Sequence, residues 1–329
     1  MVEDGEKAID ARSRESRDAT SGRPRATLHV CTPSRQCPQQ HEGQQHERER
    51  PRDAPSPLSL SILGVEPLDE FIREVADFVH FKISTRPPDT PGHIEVEAKI
   101  GVLRDREGGQ RLRMPILVET ILAPGAVDCR FESNMTPVSA PASTPAPAHR
   151  ERTQAQHKHF NQLLNTLKTS SSTPLSYTHL RLVDSFYAAD SGAGARGERI
   201  RVTRDEKSGA VVACVRKVRL GDLNIICPKR AADWRISVNL EIPAWHAPPI
   251  GTSTHTRRKD RMSYTHEEFV IDLTQVTASA GPSSKTEVLH ELELELARPE
   301  YLLSTAAKRN DPNASEQERG AFDELMRRS

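Results

Sequence analysis

The sequence predicts an α+β protein that is mainly β, because period-two alternation dominates its pattern. Short segments of alternating apolar and polar residues run from about residue 177 to residue 296, separated by turns rich in Gly, Pro and Asp. The strongest alternation lies in residues 289–296, and residues 93–100 repeat it near the start of the patterned region. Apolar residues at helical spacing are confined to a few segments. We therefore expect a sheet with accessory helices.

Both of the strongest alternating segments place carboxylates on one face. The polar face of the first carries two glutamates and a lysine, and that of the second carries three glutamates: Glu95, Glu97 and Lys99, then Glu291, Glu293 and Glu295. Like charges about 6–7 Å apart repel one another and favour protonation unless a cation keeps them ionised. Two such rows facing each other across a barrel would form an all-oxygen site for a hard divalent cation. A solvated outer face is the alternative, and it is the commoner situation for a single strand.

Length and composition limit the number of domains and the kinds of function that the chain can have. A chain of 329 residues permits one large or two small domains. Basic and acidic residues number 46 each, so any site for a polyanion must be a local concentration of cations. There is no apolar run of about 18 residues, so no transmembrane helix is predicted. The cysteines lack metal-binding spacing and no signal peptide is visible, so we expect reduced thiols in an intracellular protein: Cys31, Cys37, Cys129, Cys214 and Cys227.

The chain divides into three parts by composition. Residues 1–57 are rich in Arg, Glu, Gln, Ser and Pro without apolar periodicity, which predicts a disordered N-terminal tail. Residues 58–303 carry the strand and helix patterns and are expected to form one domain. A stretch of Pro, Ala, Ser and Thr at about 137–150 predicts a flexible insertion within it. Residues 304–329 are expected to form a charged C-terminal tail that can be helical.

Three segments of the domain precede the main run of strands. Apolar residues at helical spacing predict a helix over residues 67–79, with Pro67 in its first turn. Similar spacing predicts a second helix over residues 156–167. Residues 112–122 are apolar enough to predict another strand.

Basic residues occupy the polar faces of other strands. These faces carry Arg199 and Arg201, then Lys217, then Lys259 and Arg261. Two architectures fit such faces. In a sandwich the aliphatic faces form the core and the charged faces meet water, and alternation alone favours this arrangement. In a closed barrel of inverted polarity, the charged faces line a lumen and the aliphatic faces lie outside, under helices or a partner subunit.

The kinds of charge favour the barrel over the sandwich. Acid rows coexist with basic rows, so a lumen would hold a metal on its acids and a polyanion on its bases. Phosphoryl transfer requires this combination of acids and bases, because it depends on positioning and charge neutralisation.

Apolar outer faces and the amphipathic helix at 67–79 must be covered by other protein surface, which predicts a homodimer.

An ordered set of motifs resembles a known family, the fungal mRNA-capping enzyme β subunit. This family consists of RNA 5′-triphosphatases of the triphosphate tunnel metalloenzyme superfamily. The motifs span about residues 60–303 in the family's order and are IEVEAKIG at 94–101, FESNMT at 131–136, RVTRD at 201–205, DWRISVNLEIP at 233–243, RKDRMSY at 258–264, IDLT at 271–274 and HELELEL at 290–296.

The resemblance implies a fold and an activity. The fold is a closed eight-stranded antiparallel barrel that forms a polar tunnel, with helices packed on the outside. The activity is metal-dependent hydrolysis of the γ-phosphate of 5′-triphosphate RNA ends to a 5′-diphosphate, the first step of mRNA 5′ capping. Mg²⁺ is the implied cofactor, with Mn²⁺ as an alternative. The resemblance also implies nuclear localisation and an mRNA guanylyltransferase subunit as partner.

The resemblance assigns roles to residues that match the motifs. Glu95, Glu97 and Glu295 would bind the metal directly, while Glu293 and Glu291 would serve its water shell and the surrounding network. The residues implied to contact phosphate are Lys99, Arg201, Lys217, Lys259 and Arg261. Glu241 would orient or deprotonate the attacking water, and Asp272, Thr274 and Asp184 would support the site. The family can carry a luminal arginine where this chain has Val270, which removes one cation from the expected set.

Two other functions compete with this one. A tunnel enzyme of the same kind can act on free tripolyphosphate or nucleoside triphosphates, and a non-catalytic dimer scaffold can retain the barrel to bind polyanions. The His-Cys-x5-Arg loop of cysteine-dependent capping phosphatases is absent from the sequence.

Overall fold

A computed structural model gives the structure of the protein. It describes residues 69–87, 90–135, 146–170, 174–188, 199–245, 251–279 and 286–329. The predicted N-terminal tail, residues 1–57, lies outside these residues, as do residues 137–145 of the predicted insertion.

Ten strands and four helices make up the described part of the chain. The strands are β1 His93–Asp105, β2 Thr120–Leu122, β3 Cys129–Glu132, β4 Ser176–Ala188, β5 Arg199–Asp205, β6 Val211–Ile226, β7 Asp233–Pro243, β8 His255–His266, β9 Phe269–Ser279 and β10 Glu287–Leu296. The helices are α1 Glu70–Ser84, α2 Ala146–Ser170, α3 Pro299–Lys308 and α4 Glu316–Arg328.

Eight of the strands close into an antiparallel barrel. Their order is β10-β9-β8-β4-β5-β6-β7-β1, and β1 also pairs with β10, with Glu97 opposite Glu295. Beyond the barrel, β3 pairs with the end of β1, and β2 pairs with the end of β6. The predicted closed eight-stranded antiparallel barrel is thus confirmed.

The aliphatic faces of the strands lie outside the barrel, under helices. Ile94, Val96 and Val238 from the sheet share an apolar cluster with Val79 of α1 and Phe322 of α4. On another side, α2 packs on β8, β9 and β10. The polar faces therefore line the lumen, as expected for a barrel of inverted polarity. The sandwich alternative is excluded, because it would bury the aliphatic faces between two sheets.

The first helix follows its predicted pattern, although it begins and ends later than expected. Asp69 caps α1 by accepting hydrogen bonds from the backbone N–H groups of Phe71 at 3.1 Å and Ile72 at 3.4 Å. Val75 and Val79, one turn apart, face the sheet and are buried. No helix in the described part of the chain is long and apolar enough to cross a membrane.

The C-terminal residues correct the prediction of a charged tail over 304–329. They form the second half of α3 and all of α4, and Phe322, Leu325 and Met326 are buried in the main apolar cluster. These three residues follow helical spacing, and the many charges around them lie on the solvent side of α4. The terminal helices are therefore part of the domain.

Two further predictions need correction. Of residues 112–122, only Thr120–Leu122 form a strand, because Pro115 interrupts backbone pairing and Arg111 anchors the segment to the buried Asp233. The helix predicted at 156–167 begins already at Ala146, so residues 146–150 are helical and do not belong to a flexible insertion.

Candidate functional site

The two acid rows lie side by side on paired strands, and not across the lumen as expected. The register of β1 and β10 sets Glu97 opposite Glu295 and Lys99 opposite Glu293. On the other side of β1, Glu95 is opposite Asn239 of β7. Asn239 donates hydrogen bonds to Glu95 at 2.9 Å and to Glu97 at 3.2 Å. Strand pairing therefore gathers the carboxylates on one wall of the lumen.

Two lysines separate these carboxylates. The Lys217 ammonium group contacts Glu95 and lies 3.1 Å from Glu97 Oε1, while that of Lys99 lies 3.1 Å from Glu97 Oε2 and 2.6 Å from Glu293 Oε1. Burial opposes ionisation of Glu97, but the two lysines lower its pKa. Burial likewise opposes ionisation of Glu293, and Lys99 together with Arg261 lowers its pKa. With the side chains so paired, the described residues contain no ready-made group of three His, Cys, Asp or Glu ligands.

Glu295 differs from the other acids because no cation compensates it. Within the described residues, no lysine or arginine lies within ion-pair distance of its carboxylate. Burial, followed by the charges of Glu95 and Glu97, raises its pKa to about 8. Its partner on β9 is Val270, which carries no charge.

The wall formed by β4, β8 and β9 carries the predicted bases and their supporting residues. Arg261 donates to Thr274 at 3.1 Å, and its guanidinium lies 2.6 Å from Asp272. The Lys259 ammonium lies 2.6 Å from Asp184. Burial lowers the pKa of Lys259 against the attraction of Asp184, and the neighbouring arginines lower it further. This wall holds several cations in a confined space.

Arg201 and Glu241 link the two walls. Arg201 donates a 2.8 Å hydrogen bond to Glu241, two strands away on β7. The Nε atom of Arg201 is buried and has no hydrogen-bond partner among the described residues. An anion in the lumen would supply an acceptor for it.

Asn239 and Arg257 are luminal residues that were not assigned a role from the sequence. Asn239 bridges Glu95 and Glu97, and Arg257 pairs with Glu291 at 2.7 Å. Asn239 lies two residues before Glu241 on the same strand face, so its place in the lumen followed from alternation. Its bridging contacts depend on strand register, which the sequence does not give.

The carboxylate wall fits a hard divalent cation by its chemistry. Glu95, Glu97 and Glu295 offer oxygen ligands only, which Mg²⁺ and Mn²⁺ prefer. Burial and the neighbouring negative charges raise the pKa of Glu295, and a bound cation would compensate those charges. Lys217 is the side chain that would have to move away from Glu95 for a cation to approach.

Comparisons with known sequences identify the family of the chain. A family model described as the β chain of mRNA capping enzyme matches residues 65–327. The mRNA-capping enzyme subunit beta of Schizosaccharomyces pombe is 33% identical over 273 residues, which make up 80% of this chain and 82% of that protein. The corresponding protein of Cryptococcus neoformans is 32% identical over 292 residues, 84% of this chain and 63% of that protein.

Solved structures show the same fold. The chain is similar to the S. pombe Pct1 RNA triphosphatase, with a TM-score of 0.64 and 32% identity, over 84% of this chain and 94% of that one. It is also similar to Pct1 solved in complex with the Spt5 CTD, with a TM-score of 0.66 and 30% identity, over 83% of this chain and 97% of that one.

Proposed function

The chain belongs to the mRNA-capping enzyme β-chain family, and we propose that it hydrolyses the γ-phosphate of 5′-triphosphate RNA ends. The product would be an RNA 5′-diphosphate, made in the first step of mRNA 5′ capping. One observation carries the proposal: a single lumen places a carboxylate wall next to a wall of buried cations. Hydrolysis of a triphosphate requires both, since a metal and a polyanion must be held together.

We propose that Mg²⁺ is the cofactor, with Mn²⁺ as an alternative. Glu95, Glu97 and Glu295 would hold it, and Glu293 and Glu291 would complete the surrounding network. When bound, the cation would neutralise charge on the phosphate oxygens and on the acids. Burial and the charges of the other two proposed ligands, Glu95 and Glu97, raise the pKa of Glu295.

The remaining residues bind and orient the substrate. Lys259 and Arg261 would grip the triphosphate oxygens from one wall, and Lys99 and Lys217 from the other. In the structure these cations pair with carboxylates, so triphosphate oxygens would replace part of those contacts. Asp272, Thr274 and Asp184 would hold Arg261 and Lys259 in place.

Glu241 would aim the attacking water. Its carboxylate accepts from Arg201, and the same arginine has one buried N–H left for a phosphate oxygen. The pair would thus fix water and phosphate relative to each other, which lowers the barrier by positioning.

The test is release of γ-phosphate from 5′-triphosphate RNA with Mg²⁺. We expect the wild type to stop at the diphosphate. We expect Glu95→Ala and Glu295→Ala to lose orders of magnitude in kcat, while Glu300→Ala, an exposed glutamate on α3, serves as the matched control. Triphosphate RNA that binds without metal-dependent release would favour the alternative of a non-catalytic polyanion-binding dimer scaffold. Faster turnover of free tripolyphosphate or nucleoside triphosphates than of RNA would favour the other alternative.

We also propose that the protein acts in the nucleus as a homodimer, together with an mRNA guanylyltransferase subunit. Family membership supports the guanylyltransferase and the nucleus, and the exposed apolar side chains Phe81, Leu163 and Val212 support the dimer. A monomeric mass by light scattering at micromolar concentration would contradict the dimer. Failure of the two capping subunits to co-purify would contradict a stable complex between them.

A further inference from the structure

Two aromatic side chains are stacked on the barrel close to the basic wall. The rings of Phe186 on β4 and His255 on β8 are nearly parallel, at 4° to each other, with centroids 4.2 Å apart. The two residues are direct partners in the β4–β8 pairing. Both are half-buried, so a part of each ring remains accessible.

Alternation places this pair on the luminal face. Asp184 binds Lys259 inside the lumen, and Arg257 binds Glu291 there. Phe186 and His255 each lie two residues along the same strands from Asp184 and Arg257, about 6–7 Å further along the lumen. The strand register also sets Phe186 opposite Arg201 of β5.

Cations surround the pair. Arg257 lies two residues from His255 on the same face of β8, and burial together with the charges of Arg199 and Arg257 lowers the pKa of His255. Phe186 belongs to none of the apolar clusters formed by the described residues, so the ring does not serve the protein core. The pair is therefore an aromatic surface beside arginines, next to the proposed triphosphate-binding wall.

We propose that the Phe186–His255 pair stacks the base of the first nucleoside of the RNA, the one that carries the triphosphate. The proposal rests on the function proposed above and names the part of the substrate that distinguishes RNA from free tripolyphosphate. Aromatic rings stack any base, because every base offers a π-face, and neighbouring arginines attract the backbone phosphates. The surface therefore recognises a nucleotide without selecting its sequence.

A second aromatic group in the described residues fits this role less well. Arg235 lies over the Phe131 ring at 4.9 Å, but its guanidinium is 3.1 Å from Asp222, and Glu132 follows Phe131 directly. Those carboxylates would repel an RNA backbone. Arg257 on the Phe186–His255 side is likewise paired, with Glu291 at 2.7 Å, but Arg199 forms no ion pair within the described residues and leaves that side positively charged.

The experiment compares kcat/KM for three substrates with Mg²⁺: tripolyphosphate, which has no base, ATP, and a 5′-triphosphate RNA oligonucleotide. We expect Phe186→Leu and His255→Ala to lower the RNA-to-tripolyphosphate ratio about tenfold, a loss typical of one stacked base. The ATP-to-tripolyphosphate ratio should fall similarly, since ATP presents the same nucleoside. His255→Phe should retain both ratios, because it keeps the stacking surface.

Tyr301→Ala removes an exposed aromatic residue beside Arg298 on α3, outside the barrel, and should leave the ratios at the wild-type values. If His255→Ala unfolds at the wild-type temperature and leaves both ratios unchanged, this inference is overturned but the proposed function is not. A fall for RNA but not for ATP would overturn the placement of the first nucleoside. A wild type that cleaves none of the three substrates would overturn the proposed function and this inference with it.

Discussion

Replacing Glu295 with glutamine should stabilise the metal-free protein, and the gain should depend on pH. The pKa of Glu295 is raised from an ordinary value of 4.5 to about 8 by burial and by the neighbouring acids. Below pH 4.5 the carboxyl is protonated in both the folded and the unfolded chain. Between pH 4.5 and 8 only the unfolded chain releases the proton, so the wild type loses stability as pH rises.

The size of this stability penalty follows from the pKa shift of Glu295. Each unit of pKa difference corresponds to 1.36 kcal/mol, so the wild type should be penalised by about 3 kcal/mol at pH 7 and by about 5 kcal/mol above pH 8. At pH 5 the penalty should be under about 1 kcal/mol. Glu295→Gln keeps the shape of the side chain and removes the charge, so it should recover most of this free energy.

The assay is urea denaturation in the presence of a chelator at pH 5, 7 and 8.5. The free energy of unfolding of Glu295→Gln should exceed that of the wild type by an amount that grows with pH. Glu287→Gln, an exposed position on the same strand, should show no such growth. Added Mg²⁺ should stabilise the wild type more than Glu295→Gln. Equal pH dependence in the wild type and Glu295→Gln would refute the reasoning.

Three further outcomes follow from the packing and charges of the barrel. Phe322→Ala should lower the free energy of unfolding by about 3–5 kcal/mol in urea denaturation, because the Phe322 ring is fully buried in the main apolar cluster. A loss below about 1 kcal/mol would mean that α4 is not part of the core. Arg111→Met leaves the buried Asp233 without its ion pair and should cost about 3–5 kcal/mol by the same measurement, with exposed Arg113→Met as the control. Val270→Arg places a cation opposite Glu295 and should abolish the pH-dependent penalty, which a repeat of the pH series would check.

Alternation along single strands predicted most of the lumen. Period-two patterns assigned Glu97, Lys259 and Asp272 to polar faces, and the structure places all three in the lumen. The same patterns allowed a sandwich, because alternation shows which face of a strand is polar but not whether the sheet curves into a closed barrel. Closure depends on the pairing of β1 with β10, a contact between residues far apart in the chain. The family resemblance, and not the periodicity, predicted that closure.

Strand register and side-chain packing explain where the structure differs from the predictions made from the sequence. The acid rows were expected across the lumen, but the order of strands makes β1 and β10 neighbours. The packing of the terminal helices on the domain was missed because charges outnumber the apolar residues of α4, although Phe322, Leu325 and Met326 follow helical spacing. Residues 112–119 were read as a strand from composition, while Pro115 and the anchoring of Arg111 keep them out of the sheet.

A crystal structure with Mn²⁺ and tripolyphosphate is the most direct test of the central claim, that one lumen holds a metal on its acids and a triphosphate on its bases. The account predicts an anomalous manganese peak within ligand distance of Glu95, Glu97 and Glu295, with phosphate oxygens between this ion and Arg261. Manganese bound only outside the barrel, or tripolyphosphate bound away from the lumen, would contradict it.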